Sequence, residues 1–271
     1  AGQRGKRRKA PRPVRGAMTL RRSTYSVSQA GLARLRVMVL FPAPLRRGDR
    51  VGVTSPSAGV EGPGADRIAF CVCGCARPGR RRGRDLVDLL DWDALAAAEP
   101  TWLVGFSDLS TILVPITTRL GWATVHGDNL ADTPYAVPDG LRSWRDVVSG
   151  TGPHRQHDSG LIADWWPIAE DPRATQWKSV STGRWTLHGA DSVHVSGRLI
   201  GGCVETMCNL AGTPYGNVAG FGRQHADDGL IVYVEAAGDD AATICRNLHG
   251  LRLAGWFEHA QAILIGRTNA P

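Results

Sequence analysis

The amino-acid sequence predicts an α/β protein whose strands are largely parallel. Short apolar runs alternate along the chain with longer segments of helical length, and this alternation is typical of strands joined by helical crossovers. The chain has 271 residues, of which 42% are hydrophobic, so it is long enough to form two modest domains with their own cores. No apolar run in the sequence approaches the length of a membrane-spanning helix.

The predicted elements fall into two groups separated by a loop-rich segment. The first group comprises strands at 50–54, 102–104 and 122–126 and helices at 85–98, 109–120 and 140–148. Residues 150–184 are polar and rich in Gly, Pro and Trp, which indicates a linker with loops. The second group comprises strands at 185–188, 193–199, 230–235 and 262–265 and helices at 202–210 and 239–253.

The basic charge of the protein is concentrated near the start of the sequence. Residues 1–50 hold 14 Lys and Arg but one acidic residue, whereas the remainder holds 18 basic and 24 acidic side chains. Residues 1–40 are therefore predicted to be a disordered basic extension. Such a segment could bind nucleic acid or an anionic membrane, act as a transit-like leader, or be translated ahead of a start at Met38. The acidic body of the chain does not favour nucleic acid as the main partner.

The six cysteines do not have the spacing of a disulfide framework or a zinc site. Cys71, Cys73 and Cys75 alternate along the chain, whereas Cys203, Cys208 and Cys245 are predicted to be small buried side chains. Reduced thiols are expected in the cytoplasm, so the sequence predicts a cytoplasmic protein. We expect neither a metal nor a cofactor.

A serine lies at the apex of a predicted strand–turn–helix. The apolar strand 102–104 leads into Gly105 and Phe106, and Ser107 then precedes the predicted helix. This arrangement lifts a hydroxyl clear of a sheet and directs the N–H groups of a helix start towards whatever that hydroxyl attacks. A turn serine that caps a helix produces the same pattern, so the motif alone leaves both interpretations open.

Several further motifs accompany this serine in a fixed order. They are Gly105-Phe-Ser-Asp108 with His126-Gly127, the segments 45–57 and 89–93, Gly201-Gly-Cys-Val-Glu205 with Gly212-Thr-Pro-Tyr215, and Ile231-Val-Tyr-Val-Glu235 with Arg246. Together they resemble the LD-carboxypeptidase family of serine peptidases, which includes the microcin C self-immunity proteins. The resemblance extends over residues 41–57 and 85–271.

The resemblance implies a two-domain architecture and a set of site residues. It implies a flavodoxin-like N-terminal domain at 41–150, a linker at 151–184 and a second α/β domain at 185–271, with the active site in the cleft between the domains. It also implies a Ser–His–Glu triad in which Ser107 is the nucleophile and Glu235 the acid. The backbone N–H of Asp108 is the expected oxyanion donor, and His126 and Glu205 are expected to contact substrate.

Two departures from the family pattern bear on activity. In the family the catalytic histidine lies tens of residues beyond the Ile-Gly-Arg strand, but here no histidine follows His259. The family places a paired-glycine loop between the segments that match 45–57 and 89–93. No such glycine pair is visible within residues 58–84. The resemblance therefore predicts a C-terminally truncated and internally altered member, whose 271 residues alone are inactive and marginally stable.

The resemblance implies hydrolysis of an L,D-peptide bond in a peptidoglycan tetrapeptide, with release of terminal D-Ala. The implied partner is a small peptide substrate, and the full-length form is expected to be a homodimer that does not bind membranes. Three alternatives stay open. They are a microcin-like peptidyl-nucleotide amidase, a non-catalytic relative that binds a ligand in the old cleft, and a nucleic-acid-associated protein that uses the basic extension.

Overall fold

The computed structural model describes residues 39–52, 63, 66–67, 87–150, 152–164 and 170–268. All of these belong to one compact unit, residues 37–271. Most of the predicted basic extension, most of the altered segment 58–84, and Cys71, Cys73 and Cys75 lie outside the described residues. None of the described helices is long and apolar enough to cross a membrane.

The described part of the chain contains seven strands and six α-helices. The strands are β1 (Val104–Gly105), β2 (Val125–His126), β3 (Leu161–Asp164), β4 (Lys178–Thr182), β5 (Arg198–Cys203), β6 (Leu230–Ala236) and β7 (Ala260–Thr268). The helices are α1 (Trp92–Ala96), α2 (Ser110–Leu120), α3 (Trp144–Ser149), α4 (Val204–Met207), α5 (Val218–Gln224) and α6 (Ala241–Leu253). The mixture of helices with mainly parallel strand pairs confirms the predicted α/β class.

The first half of the chain is built around helix α2. Strands β1 and β2 pair in parallel, with Gly105 opposite His126, and α2 is the crossover between them. Ile112 and Ile116 on this helix pack with Trp122 in one apolar cluster. Val114, on another side of the same helix, is part of the larger core of the second half. Helix α2 therefore contributes to both cores.

The second half is a three-stranded parallel sheet in the order β5-β6-β7. Strand β6 is central, and Leu230, Val232 and Val234 alternate as buried residues along it. These side chains join Met207 and the fully buried Trp256 in the larger core. Because β5 and β6 are parallel and in register, Cys203 at the end of β5 lies opposite Glu235 near the end of β6.

Several predicted boundaries are confirmed to within two residues, but others are wrong. Strand β6 and helix α6 lie where the sequence predicts them, and Asp240 caps α6 by accepting from the N–H groups of Ala242 and Thr243. The predicted helix at 85–98 is instead a short 3-10 helix, Val87–Leu89, followed by α1. Asp91 interrupts it because its side chain accepts from Ala94 N–H and starts a new helix.

The predicted strands at 185–188 and 193–199 are also wrong, apart from the last two residues of the second run. Trp185 and Val193 are 61% and 60% exposed and have no strand partner, so β5 begins only at Arg198. The predicted linker, in turn, contains the antiparallel pair β3 and β4. Residues 50–52 are not in a strand, and the remainder of the predicted strand at 50–54 lies outside the described residues.

The predicted helix at 202–210 starts later than expected. Strand β5 continues through Cys203, after which α4 is followed by the 3-10 helix Cys208–Leu210. The delay arises because Gly201 and Gly202 are extended and paired with β6. Helix α3 likewise begins later than predicted, at Trp144 rather than at residue 140. Ser143 and Asp146 form a capping box that sets this start.

Candidate active site

Three of the predicted site residues lie at the carboxyl ends of parallel strands. Ser107 follows β1, His126 ends β2, and Glu235 is the penultimate residue of β6. The carboxyl end of a parallel strand is where α/β proteins generally place their ligands and catalytic groups. Although β6 belongs to a different sheet from β1 and β2, the structure brings His126 and Glu235 into contact.

Ser107 has an unusual backbone conformation. Its φ of 54° makes it the single non-glycine residue with a positive φ in the part of the chain that the structure describes. β1 ends at Gly105, and Ser107 begins a 3-10 helix, Ser107–Leu109, that runs directly into α2. This confirms the predicted strand–turn–helix. A left-handed serine at such a turn costs of order 1–3 kcal/mol and is the backbone geometry of a nucleophile elbow. Asp108 follows in the same 3-10 helix.

His126 and Glu235 form the central polar contact of the site. His126 Nε2 lies 3.8 Å from Glu235 Oε1, and the two side chains are 15% and 29% exposed. Burial lowers the pKa of His126 to about 4, so the imidazole is neutral at neutral pH. Burial, followed by the charge of Glu205, raises the pKa of Glu235. The ring of Tyr233 packs beside His126 with its centroid 5.3 Å away.

Glu205 holds the loop that follows Glu235. Its carboxylate accepts hydrogen bonds from the backbone N–H groups of Ala237 at 2.8 Å, Gly238 at 2.9 Å and Asp239 at 3.1 Å. Burial acts to raise the pKa of Glu205, but the Cys203 thiol and these N–H donors lower it to about 2. Both oxygens are therefore engaged by the protein itself, which gives Glu205 a structural role. Its predicted contact with substrate stays a prediction.

Cys203, which the sequence predicts to be a small buried side chain, is a polar member of the site. It is buried, as predicted, but its Sγ donates to Glu205 Oε2 at 2.8 Å. Burial, the Glu205 contact and the nearby Glu235 charge raise the pKa of this thiol well above its usual range. Cys203 is therefore a protonated thiol and not a competing nucleophile. The signal in the sequence was its spacing two residues before Glu205. Cys245, also predicted to be buried, is exposed.

Of the eight histidines, all of which the structure describes, only His126 lies within 4 Å of a Glu235 oxygen. His188 and His194 are in exposed loops, and His249 is on the exposed side of α6. His225 is 4% exposed at the end of α5, with its ring against Phe221. In the described part of the chain, no three His, Cys, Asp or Glu side chains converge as metal ligands would.

Family comparisons match both halves of this site. The model of the LD-carboxypeptidase N-terminal domain matches residues 75–127, which include Ser107 and His126. The model of the LD-carboxypeptidase C-terminal domain matches residues 196–271, which include Glu205 and Glu235. The two matches occur in the order predicted from the sequence.

Curated relatives extend the similarity between the two matched regions. A Streptomyces coelicolor protein named "Putative carboxypeptidase" is 29% identical over 194 residues, covering 71% of this chain and 51% of the relative. The Microcin C7 self-immunity protein MccF of Escherichia coli is 23% identical over 208 residues, covering 72% of this chain and 56% of the relative. The chain thus spans about half the length of the curated relatives that it matches.

Solved structures share the fold. An MccF-like protein from Bacillus anthracis superposes with a TM-score of 0.62 at 20% identity, covering 84% of this chain and 80% of the other. MccF in complex with aspartyl sulfamoyl adenosine superposes with a TM-score of 0.60 at 20% identity and the same coverage. The two family matches, the relatives and the shared two-domain fold together show that this chain belongs to the LD-carboxypeptidase family, which includes the MccF-type microcin self-immunity proteins.

Proposed function

We propose that Ser107 is the nucleophile of a hydrolase that cleaves an L,D-peptide bond and releases D-Ala from a peptidoglycan tetrapeptide. The observation that carries this proposal is the left-handed backbone of Ser107 at the end of β1. Gly105, two residues before it, pairs with His126, which in turn contacts Glu235. The carboxypeptidase name of a 29% identical relative supports this substrate class over the peptidyl-nucleotide alternative, since MccF is 23% identical.

The reaction needs a nucleophile, an oxyanion donor and a proton acceptor. The Ser107 hydroxyl attacks the carbonyl carbon that precedes D-Ala, so a C–O bond forms while the C–N bond to D-Ala breaks. The hydroxyl proton passes to a base and then to the departing amine, and water subsequently hydrolyses the acyl-enzyme. The backbone N–H of Asp108 is the proposed donor to the oxyanion, and loss of one such donor typically costs 10²–10³ in rate.

Glu235 and His126 supply the acid–imidazole contact of this site. The neutral imidazole of His126 and the neighbouring carboxylate are arranged as an acid and the group it orients. The family resemblance implies that the base is not His126 but a histidine that lies beyond the Ile-Gly-Arg strand. We therefore propose that Glu235 orients His126, that a further histidine is the base, and that imidazole added to the buffer can serve as the proton acceptor in its place.

The test measures D-Ala release from a muramoyl tetrapeptide by the 271-residue protein, with and without imidazole in the buffer. In keeping with the inactivity predicted for these 271 residues alone, we expect no release without imidazole, and we expect added imidazole to support a slow release that Ser107→Ala abolishes. Ser181→Ala is the matched control, because Ser181 is an exposed serine on β4. Release that imidazole does not accelerate would assign the base to His126. Absence of Ser107-dependent release under both conditions would overturn the proposed function.

A second substrate separates the two branches of the family. A peptidyl-adenylate amide of the microcin type is offered in competition with the tetrapeptide, under the condition that gives the faster turnover. We expect the tetrapeptide to be consumed first. Faster consumption of the peptidyl-adenylate would assign the protein to the peptidyl-nucleotide amidases and would leave the proposed role of Ser107 unchanged.

A further inference from the structure

The nucleophile turn is fastened to the second half of the chain by two buried hydroxyl groups. Ser110 begins helix α2 and is completely buried, and Thr206 lies in helix α4 and is 3% exposed. Both sit close to Ser107, Ser110 three residues along the chain and Thr206 across the fold. Buried hydroxyls of this kind are satisfied by specific partners, so their partners show what they hold in place.

The Thr206 hydroxyl contacts the strained residue itself. Its Oγ1 lies 3.3 Å from the carbonyl oxygen of Ser107 and 3.1 Å from the carbonyl oxygen of Cys203. The bond to Cys203 is the local contact that a threonine in the first turn of a helix commonly makes. The bond to Ser107 reaches across 99 residues of sequence, so the single hydroxyl proton links the start of α4 to the nucleophile turn.

Ser110 supplies the second link in the opposite direction. Its Oγ accepts a hydrogen bond from the backbone N–H of Cys203 at 3.0 Å. The close approach depends on Gly202, whose φ is 151° and whose absent Cβ would lie 2.7 Å from Ser110 Cβ and closer still to its Oγ. Ser110 therefore fastens the end of β5 to the same turn that Thr206 reaches from α4.

We propose that Thr206 and Ser110 are positioning residues that hold Ser107 in its left-handed conformation. A serine with φ of 54° persists only where its surroundings impose that conformation, because a right-handed or extended backbone is intrinsically favoured. Two hydrogen bonds from the β5–α4 junction, residues 203–206, act on residues 107 and 110 and so define the turn between them. The expected effect on D-Ala release rests on the proposed function, whereas the expected effect on the backbone conformation of Ser107 does not.

Three variants test the proposal. Thr206→Val keeps the shape of the side chain and removes the hydroxyl, whereas Thr206→Ser keeps the hydroxyl and removes the methyl group. Thr117→Val is the matched control, because Thr117 is also a buried threonine. It lies on α2, and its hydroxyl donates to Trp122 O at 2.9 Å, away from Ser107.

The first readout is spectroscopic and does not require activity. Backbone ¹³C chemical shifts of Ser107, measured in selectively labelled protein, report its φ and ψ. We expect these shifts to move in Thr206→Val, to return in Thr206→Ser, and to be unaffected in Thr117→Val. Unchanged shifts in Thr206→Val, or an equal change in Thr117→Val, would overturn the proposal whether or not the protein hydrolyses the tetrapeptide.

The second readout is kinetic and applies to the Ser107-dependent release of D-Ala. We expect Thr206→Val to lower kcat about tenfold with KM nearly unchanged, because one hydrogen bond that orients the nucleophile is lost. Thr206→Ser should recover most of that loss. A rise in KM at constant kcat would place Thr206 in substrate binding and overturn a positioning role. If the wild-type protein releases no D-Ala, the proposed function fails while the chemical shifts still decide the role of Thr206.

Discussion

His126 on β2 and Glu235 on β6 are in contact although their strands belong to different sheets, with His126 Nε2 3.8 Å from Glu235 Oε1. The two side chains respond oppositely to their shared burial. The imidazole loses affinity for its proton, since the pKa of His126 falls to about 4, whereas the pKa of the Glu235 carboxyl rises. The pair therefore approaches a state in which neither member carries a charge as readily as it would in water.

Replacement of Glu235 by Gln should separate stability from function. The fold holds the Glu235 carboxylate at a cost, because burial and the Glu205 charge both disfavour its ionised form. We expect the midpoint of thermal unfolding at pH 7 to stay the same or rise, while Ser107-dependent turnover falls about 10²-fold or more. Calorimetry and D-Ala release measure the two effects. A marked loss of stability would contradict the burial argument.

The stability of the protein should fall as the solution is acidified through the range set by His126. Its pKa is about 6.5 when unfolded and about 4 when folded, so the unfolded state binds the extra proton between these values. Stability contributed by the neutral imidazole is complete above pH 6.5 and is lost towards pH 4, by up to about 1.4 kcal/mol per pH unit. The raised pKa of Glu235 has the opposite effect as pH falls.

The His126→Asn variant isolates this contribution, since Asn does not titrate. Urea unfolding of both proteins between pH 4 and 8 gives their difference in stability. We expect the advantage of the wild-type protein to shrink as pH falls from 6.5 to 4. A difference that is independent of pH would show that His126 titrates normally in the fold.

Glu205→Gln should loosen the segment that follows Glu235. The carboxylate holds three backbone N–H groups, and an amide can offer only one acceptor oxygen to them. We expect a loss of about 2 kcal/mol at pH 7 and faster amide exchange at Ala237, Gly238 and Asp239. The wild-type advantage should be constant above pH 4.5 and lost as pH falls towards 2. Glu99→Gln, at an exposed position, is the control and should change neither measurement.

Gly202→Ala and Gly250→Ala form a matched pair. At Gly202 a methyl group would meet the Ser110 side chain in a backbone conformation that other residues rarely adopt, whereas at Gly250 in α6 nothing lies within 4 Å. We expect the first change to destabilise the protein by about 2 kcal/mol or more and the second to stabilise it by up to about 1 kcal/mol. Equal effects in thermal unfolding would contradict the close approach of β5 to α2.

The elements that the sequence predicts well are those whose apolar pattern is decided locally. Strand β6 alternates buried and partly buried residues over its whole length, and α6 starts at an aspartate cap, so both are evident in the sequence. Strand β4 has no such pattern, because all five of its residues are exposed and only its pairing with β3 makes it a strand. The strand predictions at Trp185 and Val193 are wrong for the opposite reason, since these side chains are apolar but exposed and belong to no strand.

The candidate site divides in the same way. Ser107 and Glu235 can be found because each belongs to a compact motif beside a strand. The contacts that define the site cannot be found in this manner, since Cys203 N–H reaches Ser110 across 93 residues and Thr206 reaches Ser107 across 99. Long-range hydrogen bonds between small polar side chains leave no periodic trace in a sequence, and Ser110 and Thr206 are of types common everywhere.

The separation of Ser107 from Thr206 also sets an order of events during biosynthesis. A ribosome adds Ser107 well before Thr206, and at about 5–20 residues per second the intervening 99 residues take several seconds to appear. Throughout that interval the residues of the serine turn have been synthesised, but Thr206, whose hydroxyl contacts the Ser107 carbonyl oxygen, has not. In a nascent chain Ser107 would therefore lack the hydrogen bond that holds its left-handed conformation. That conformation would be stabilised only after the β5–α4 junction had been synthesised and had packed against the turn. Under the proposed function, a partly synthesised chain would accordingly stay inactive at Ser107 until that packing occurs.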